Sequence, residues 1–377
     1  MDTNVLIDRM RIIEIIPQLS QGGAERFVVD LCNGLVMKGH EVTLIVLHSL
    51  DNVGFFAEEI DERVRVVPMN KKMGMDFCLF FRLWRQIRIS SPDVVHTHLR
   101  GIVYSAIAWL LPSRVKFIHT VHSEAKKEAG EMLSLMFRRL AFKCHRVIPV
   151  TISEESEKSF QQLYGRKGIL IHNGRPAYKL IQNEVDEAQA EMESMARDKD
   201  AMRIVNIARL GEEKNQYALA QAVKQLNEEG YPIELYIIGR KDGTEQQPGP
   251  IFSAIQSLLC PHIHFLGAKR YPRAYMYVSD AFCLPSLWEG MPITVIEAFS
   301  VGAVPLVTPV GGMKNMVQDN VNGLVSKGCT VDDIKALLIR FMEMSEDDKQ
   351  VMRVASKKSY AVYSMDNSVE EYLKIMT

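Results

Sequence analysis

The chain has 377 residues, is 47% hydrophobic and 24% charged, and carries a formal net charge of −1. At roughly 100–200 residues per domain, this length predicts two domains, and a near-neutral balance excludes a nucleic-acid binder acting through bulk charge. Six cysteines (Cys32, Cys78, Cys144, Cys260, Cys283 and Cys329) are widely spaced without a C-x-x-C pair, which reads as reduced core thiols and excludes a disulfide framework or zinc site. No apolar run approaches about 18 residues, so no transmembrane helix is expected. The start, with Asp2, Asp8 and Arg9, lacks a signal peptide's apolar core; the expected location is cytoplasmic.

In chain order, β-branched runs alternate with amphipathic segments. Arg11–Ile16 reads as a strand and 24–38 as a helix. Phe27, Val28, Leu31 and Leu35 recur on that helix at steps of three and four or close to it, and it should stop at Gly39, a natural left-handed terminus. Strands are expected at 42–47, 64–67, 93–96, 115–119 and 146–150, separated by helices 76–89, 101–111 and 131–143. Ser153 is placed to cap a helix running to residue 161, and 169–172 closes this half. The stretch 183–200, rich in Glu, Asp, Gln and Ala, reads as an exposed connector with some helix. Alternation then restarts with strands 203–207, Ile233–Ile238, 262–266, 280–284 and 304–308, interleaved with helices 215–229, 251–259, 272–278 and 292–301. Terminal helices follow near 331–344 and 346–361. Nearly continuous apolar strands alternating with helices mark parallel sheets covered on both faces. The expected fold class is α/β: two Rossmann-like domains, 1–180 and 201–359, joined by a connector at 181–200, their parallel sheets facing across a cleft. Ligands then belong at the carboxyl ends of strands.

Charge is unevenly divided. Residues 1–180 carry 25 Lys and Arg against 19 Asp and Glu, and the remainder 20 against 27. The basic excess concentrates in 71–146, which includes Phe80, Phe81, Arg82, Trp84, Arg85 and Arg88. This run reads as a helix laying its aromatic face on the sheet with a solvated basic side. The competing reading is a dock for an anionic membrane or a phosphate-bearing acceptor.

Three strand-to-helix loops carry chemistry. Gln21-Gly22-Gly23-Ala24-Glu25-Arg26 lets backbone amides approach a ligand at a helix N-terminus. It is not a G-x-G-x-x-G fingerprint, and the Gly34 to Gly39 spacing has His40 where a phosphate loop needs Lys. Arg209-Leu210-Gly211-Glu212-Glu213-Lys214-Asn215 puts two cations near one strand end, suited to a diphosphate; the plainer alternative pairs Lys214 with Glu212 or Glu213. The run from Pro285 to Glu297 presents Glu289 in a loop and Glu297 on a helix side beginning with Pro292. Glu289 suits sugar hydroxyls, Glu297 a ribose diol, and the free amides near Met291 and Thr294 a phosphate. His96 and His98 offer two metal-ligand nitrogens with no third group nearby in sequence, which favours core or acceptor-site histidines. The D-x-D of Asp198 and Asp200 falls in the connector, so no metal is expected.

Together, Gly-Gly-Ala-Glu-Arg, Arg-Leu-x-x-x-Lys-Asn, Glu-Gly-Met-Pro-x-x-x-x-Glu-Ala and Thr308-x-x-Gly311-Gly312 resemble retaining glycosyltransferase family 4, of the GT-B superfamily, over about residues 11–375. The resemblance implies a nucleotide-activated sugar bound mainly by the second domain. Arg209 and Lys214 would hold the diphosphate as leaving group, and Glu289 the transferred sugar, helped by the amides of Gly290 and Met291. Glu297 would take the ribose hydroxyls, and Gly22 and Gly23 would close over the phosphates. His122 would steady positive charge at the anomeric carbon, and Asn173 falls in a matching substrate loop, followed here by Arg175 and Pro176. Arg175 suits an anionic acceptor, or Pro176 stiffens the hinge. A terminal helix over about 360–377 would cross back onto the first domain. No cofactor is implied beyond the nucleotide-sugar donor. The implied acceptor is a growing polysaccharide or lipid-linked glycan, with peripheral contact to an anionic membrane. The rival readings are a sugar-nucleotide epimerase of the same fold and a non-catalytic sugar-nucleotide or glycan binder.

Overall fold

The structure, a computed structural model, describes residues 9–20, 22–49, 56–244 and 247–377. Residues 1–8, on which the expected lack of a leader partly rests, and Gln21 of the glycine loop lie outside the described residues. The chain divides into two compact units, Met1–Pro176 with Ser364–Thr377, and Ala177–Tyr363.

In the first unit seven parallel strands form one sheet: β1 (Arg11–Ile16), β2 (Glu41–Val46), β3 (Arg65–Pro68), β4 (Val94–His98), β5 (Lys116–Val121), β6 (Ile148–Thr151) and β7 (Ile169–Leu170), in the order β3-β2-β1-β4-β5-β6-β7. Ile12, Ile13, Ile15 and Ile16 of β1 are all buried, as expected for a central strand covered on both faces. Ser153 caps helix Glu154–Tyr164 in a capping box with Ser156, so a cap legible in sequence is the one the backbone uses. The C-terminal helix Met365–Met376 belongs to this unit and buries Val369, Tyr372 and Met376 in it.

The second unit holds six parallel strands, β8 (Met202–Ile207), β9 (Ile233–Ile238), β10 (Ile263–Gly267), β11 (Ala281–Leu284), β12 (Val304–Val307) and β13 (Leu324–Val325), in the order β10-β9-β8-β11-β12-β13. Its core on one sheet face gathers Leu219, Val223 and Leu226 with Leu337, Leu338 and Phe341.

Several expectations are corrected. The helix expected within the 181–200 connector is regular, Gln182–Met195, and it is not wholly exposed, for it buries Val185, Ala188 and Met192. Its far end is tied down where Glu234, fully buried on β9, accepts the amides of Arg197 at 3.0 Å and Asp198 at 2.9 Å. Three apolar residues at steps of three and four were hidden among many carboxylates. The segment 101–111 is two short helices, Gly101–Tyr104 and Ala106–Leu110. Helix Phe77–Ser90 packs through buried Leu79, Leu83 and Ile87 together with half-buried Phe80 and Trp84, so the expected aromatic face is there in part; Phe77 and Phe81 are 72% and 64% exposed. Cys32 and Cys283 are buried, but Cys78 and Cys144 are exposed rather than core thiols. Among the described residues, no helix is long and apolar enough to cross a membrane.

Candidate functional site

In the second unit the strand order reverses between adjacent β8 and β11, and the loops that leave these two strands flank the switch point where parallel α/β sheets bind ligands. The loop after β8 carries Lys214 at the end of a single 3₁₀ turn, Glu212–Lys214. The loop after β11 carries Glu289. The amide of Leu287 donates to the Glu213 carbonyl at 2.8 Å, joining the two loops. Asn215, at φ +56°, donates its Nδ2 to the carbonyls of Pro285 (3.1 Å) and Cys329 (2.9 Å).

These constraints bring Lys214 Nζ to 2.6 Å from Glu289 Oε1, an oxygen that also accepts from Ser286 Oγ at 2.8 Å. The side chains are only 19% and 9% exposed, so solvent screens this pair less than a surface ion pair. The Glu289 backbone is gripped from the other side. Gly311 sits at φ +50°, and a Cβ there would fall 1.8 Å from the Glu289 carbonyl oxygen. Gly312 N–H donates to the Gly290 carbonyl at 2.8 Å, and Thr308 Oγ1 to that of Ser286 at 2.5 Å. The glycine pair noted in sequence serves the backbone beneath Glu289 and Gly290.

Arg209 and Lys214 pair with different carboxylates here. The Arg209 guanidinium is exposed and pairs with Glu213, whereas the plain alternative for Lys214, a pair with Glu212 or Glu213, gives way to Glu289. Fully buried Gln216, which sequence reasoning missed, clamps the loop: its Nε2 donates to the Arg209 carbonyl at 2.9 Å and its Oε1 accepts from Gly211. Helix Ile293–Val301 begins one residue later than expected, with Pro292 as its cap. Met291 is buried just before it, Thr294 is half-buried in its first turn, and Glu297 is 8% exposed on a helix otherwise buried by apolar side chains.

In the first unit, Gly22 is the extended cap of helix Gly23–Met37. A Cβ on Gly22 would lie 2.2 Å from the Glu25 carboxylate, so the anion nearest this helix terminus is the chain's own Glu25, steadied by Ser20 Oγ at 2.8 Å. Asn173 is buried beside Gly174, which lies against Ser364, Met365 and Ser368 of the terminal segment. Arg175 is also buried and bonded to Asp30, so it is occupied inside the unit and not presented to an acceptor.

His122, by contrast, stands at the end of a buried polar chain. Its Nε2 lies 2.8 Å from His98 Nδ1, and His98 Nε2 lies 2.8 Å from Glu14 Oε2. Glu14 is opposite His96 in the β1–β4 register, and its Oε2 is 3.0 Å from His96 Nδ1. The expectation of two histidines without a third group is therefore corrected: Glu14, His96 and His98 place three donor atoms within 4.8 Å. Their remaining ring nitrogens are engaged by Thr120 and His122, the arrangement of a hydrogen-bond network. A carboxylate alone among four isoleucines of a central strand was the available signal, since such a group must find buried partners.

A second buried set supports the same strand ends. Arg138, 1% exposed, donates to Glu128 at 3.0 Å and to the Leu99 carbonyl at 2.6 Å. Leu99 holds φ +52°, a strained angle for a γ-branched residue. Glu128 also accepts the His122 amide at 2.5 Å. Burial pushes the Glu128 carboxyl up, but Arg138 and His119 outweigh it and hold it at about 2. Burial pushes His119 and His122 down to about 4, so both are neutral near pH 7.

Residues 187–358 match the family model described as Glycosyl transferases group 1, and residues 21–176 match that described as Glycosyltransferase Family 4. The chain is 24% identical to the UDP-Gal:alpha-D-GlcNAc-diphosphoundecaprenol alpha-1,3-galactosyltransferase of Escherichia coli, covering 92% of this chain and 89% of that one. It is also 24% identical to a Campylobacter jejuni alpha-1,4-N-acetyl-D-galactosaminyltransferase named for a diNAcBac-PP-undecaprenol glycan, over 97% and 98% of the two chains. The Anabaena Alr3699/HepE structure in complex with UDP-glucose superposes with a TM-score of 0.81 at 17% identity, covering 97% and 100%. That likeness establishes the GT-B fold.

Proposed function

We propose that this group 1 glycosyltransferase of GT-B fold transfers a sugar, with retention of anomeric configuration, from a nucleotide-diphosphate donor to a hydroxyl of a lipid-linked or growing glycan. The observation that carries this reading is the Lys214–Glu289 pair at the switch point of the second unit. An ammonium has three N–H donors; one goes to Glu289, leaving two for a diphosphate. As the glycosidic bond breaks, negative charge grows on the leaving diphosphate, and a fixed cation there lowers the barrier. Glu289, held by Ser286 and by the glycine-supported backbone, takes the transferred sugar in this scheme. Exposed Arg209 joins the diphosphate by exchanging Glu213 for phosphate oxygens. The amides of Gly290 and Met291 and the first turn around Thr294 complete the phosphate contacts, and Glu297 takes the ribose. In the first unit, His122 contacts the sugar, with Gly22, Gly23 and Asn173 lining the substrate loops. No metal step is needed in this scheme, because the cations neutralise the diphosphate.

Lys214→Ala tests the reading. Losing a charge-assisted contact of about 1.5–3 kcal/mol should weaken UDP binding by roughly 10- to 100-fold at low salt, and most of that loss should persist at high salt because the group is mostly buried. Calorimetric titration showing unchanged affinity at low salt would exclude the role. UDP is the first probe because both the Escherichia coli relative and the Anabaena structure are named with uridine nucleotides.

The lipid-linked acceptor is supported by exposed Phe77 and Phe81 on the helix that also carries Arg82, Arg85 and Arg88, and by exposed Met132 and Met136 on helix Met132–Lys143. Apolar tips among cations suit an anionic bilayer surface. The protein should float with vesicles containing anionic phosphatidylglycerol and remain behind with neutral ones. Equal recovery from both would remove the electrostatic part of this proposal.

A further inference from the structure

We propose that Glu14 and His98 are positioning residues that fix the tautomer of His122, so that His122 Nδ1 is an acceptor for a substrate hydroxyl; this rests on the transferase reading above. The direction of each hydrogen bond follows from the groups available. A carboxylate only accepts, so His98 donates its Nε2–H to Glu14 across 2.8 Å. A neutral imidazole donating from Nε2 has its lone pair on Nδ1, and that lone pair requires His122 to donate its Nε2–H, also across 2.8 Å. His122 is left with a bare lone pair on Nδ1. This atom is buried and has no hydrogen-bond partner among the described residues.

The other arm of the network runs the same way. Tyr372 donates to Thr120 Oγ1 (2.8 Å), Thr120 donates to His96 Nε2 (2.7 Å), and His96 Nδ1 donates to Glu14 (3.0 Å). All donors thus point toward the Glu14 carboxylate; burial raises its pKa while the His98 contact pulls it down, and accepting from both arms is what keeps the ionised form satisfied. The ring of His122 is held by the edge of Phe27, with centroids 5.9 Å apart, and its backbone by Glu128. Burial, which disfavours the imidazolium in His96, His98 and His122, is consistent with neutral rings throughout. A hydroxyl is the ligand class such an atom selects, because a buried acceptor without a partner needs a donor. A sugar hydroxyl meets that need and an ammonium-free, donor-poor ligand does not.

The tautomer is directly readable. In the full chain labelled with ¹⁵N-histidine, a long-range ¹H–¹⁵N spectrum at neutral pH should show His122 and His98 as Nε2–H tautomers and His96 as Nδ1–H. Signals are assigned by their loss in His122→Gln, His98→Gln and His96→Gln. Glu14→Gln should lower kcat for sugar transfer by about 10-fold or more with the donor KM little changed, the equivalent of one charge-assisted hydrogen bond, and should mix the His122 tautomers. His122 as Nδ1–H in the wild-type protein would overturn the proposal, as would a Glu14→Gln protein with unchanged kcat and tautomer. If Glu14→Gln does not fold, the wild-type spectrum decides alone. The spectrum needs no substrate, so an Nε2–H tautomer in a protein inactive with every nucleotide sugar would overturn the transferase reading and leave the tautomer assignment standing.

Discussion

Glu289→Gln should reduce sugar transfer by about 10²–10³-fold, the usual loss when one preorganised electrostatic contact to the reacting group is removed, while nucleotide affinity changes little. The carboxamide has nearly the carboxylate's shape and still offers Lys214 Nζ an oxygen in place of Oε1. Ser286 Oγ, Gly311 and Gly312 continue to hold the loop, so the diphosphate contacts survive and the folding midpoint should barely move. What disappears is the negative charge that the proposed function sets against the sugar. Steady-state rates and calorimetry on one preparation separate these effects, and wild-type turnover would remove Glu289 from the reacting centre. Equal losses of rate and nucleotide affinity would instead assign it to binding through Lys214.

Arg138→Met should destabilise the first unit by about 3–5 kcal/mol, because breaking a buried ion pair leaves its partner uncompensated. Arg138 is 1% exposed, and it alone joins the Glu128 carboxylate to the carbonyl of strained Leu99. For a unit of this size the loss corresponds to a fall of roughly 6–20 °C in melting temperature. Glu128→Gln combined with Arg138→Met should cost less than the sum, since the pair is removed together. A calorimetric shift near zero for the single variant would mean the pair contributes nothing net. The same cluster sets an acid limit. His119 and His122 are depressed to about 4 from 6.5, so the unfolded chain binds more protons below pH 6.5, and stability is lost as pH falls from there toward 4. Glu128, depressed to about 2, withdraws its share as pH falls below 4.5 toward 2. Urea midpoints should therefore drop through both windows, and Arg138→Met should lose the lower one because Glu128 then titrates nearer its ordinary value.

The strands and most helices were legible because each is announced within a few residues. The isoleucines of β1, the Ser153 cap and the hydrophobic steps of helix Gly23–Met37 are local signals, and the backbone answers to them. Gln182–Met195 was harder. Its three buried apolar residues are diluted by carboxylates, and only its packing on helix Pro272–Val278 and the bond from Tyr236 of β9 to the Met192 carbonyl show which face is covered. Helix Phe77–Ser90 splits its aromatics: Phe80 and Trp84 pack beside the aliphatic stripe of Leu79, Leu83 and Ile87, while Phe77 and Phe81 lie outside, a division that composition alone does not give.

At the site, composition and spacing determined that Lys214 and Glu289 occupy loops following strands, since both motifs stand at strand ends in the linear pattern. Their contact across 75 positions is set by β8 and β11 lying side by side, a pairing that no local period encodes. The same holds for Glu14, where the run of residues declares a carboxylate in a buried strand but not its neighbours. Those neighbours come from β4, β5 and the C-terminal helix, far apart along the chain. Short-range patterns record what each segment must bury; which polar groups then meet depends on strand order, and strand order is decided by the whole sheet closing its core.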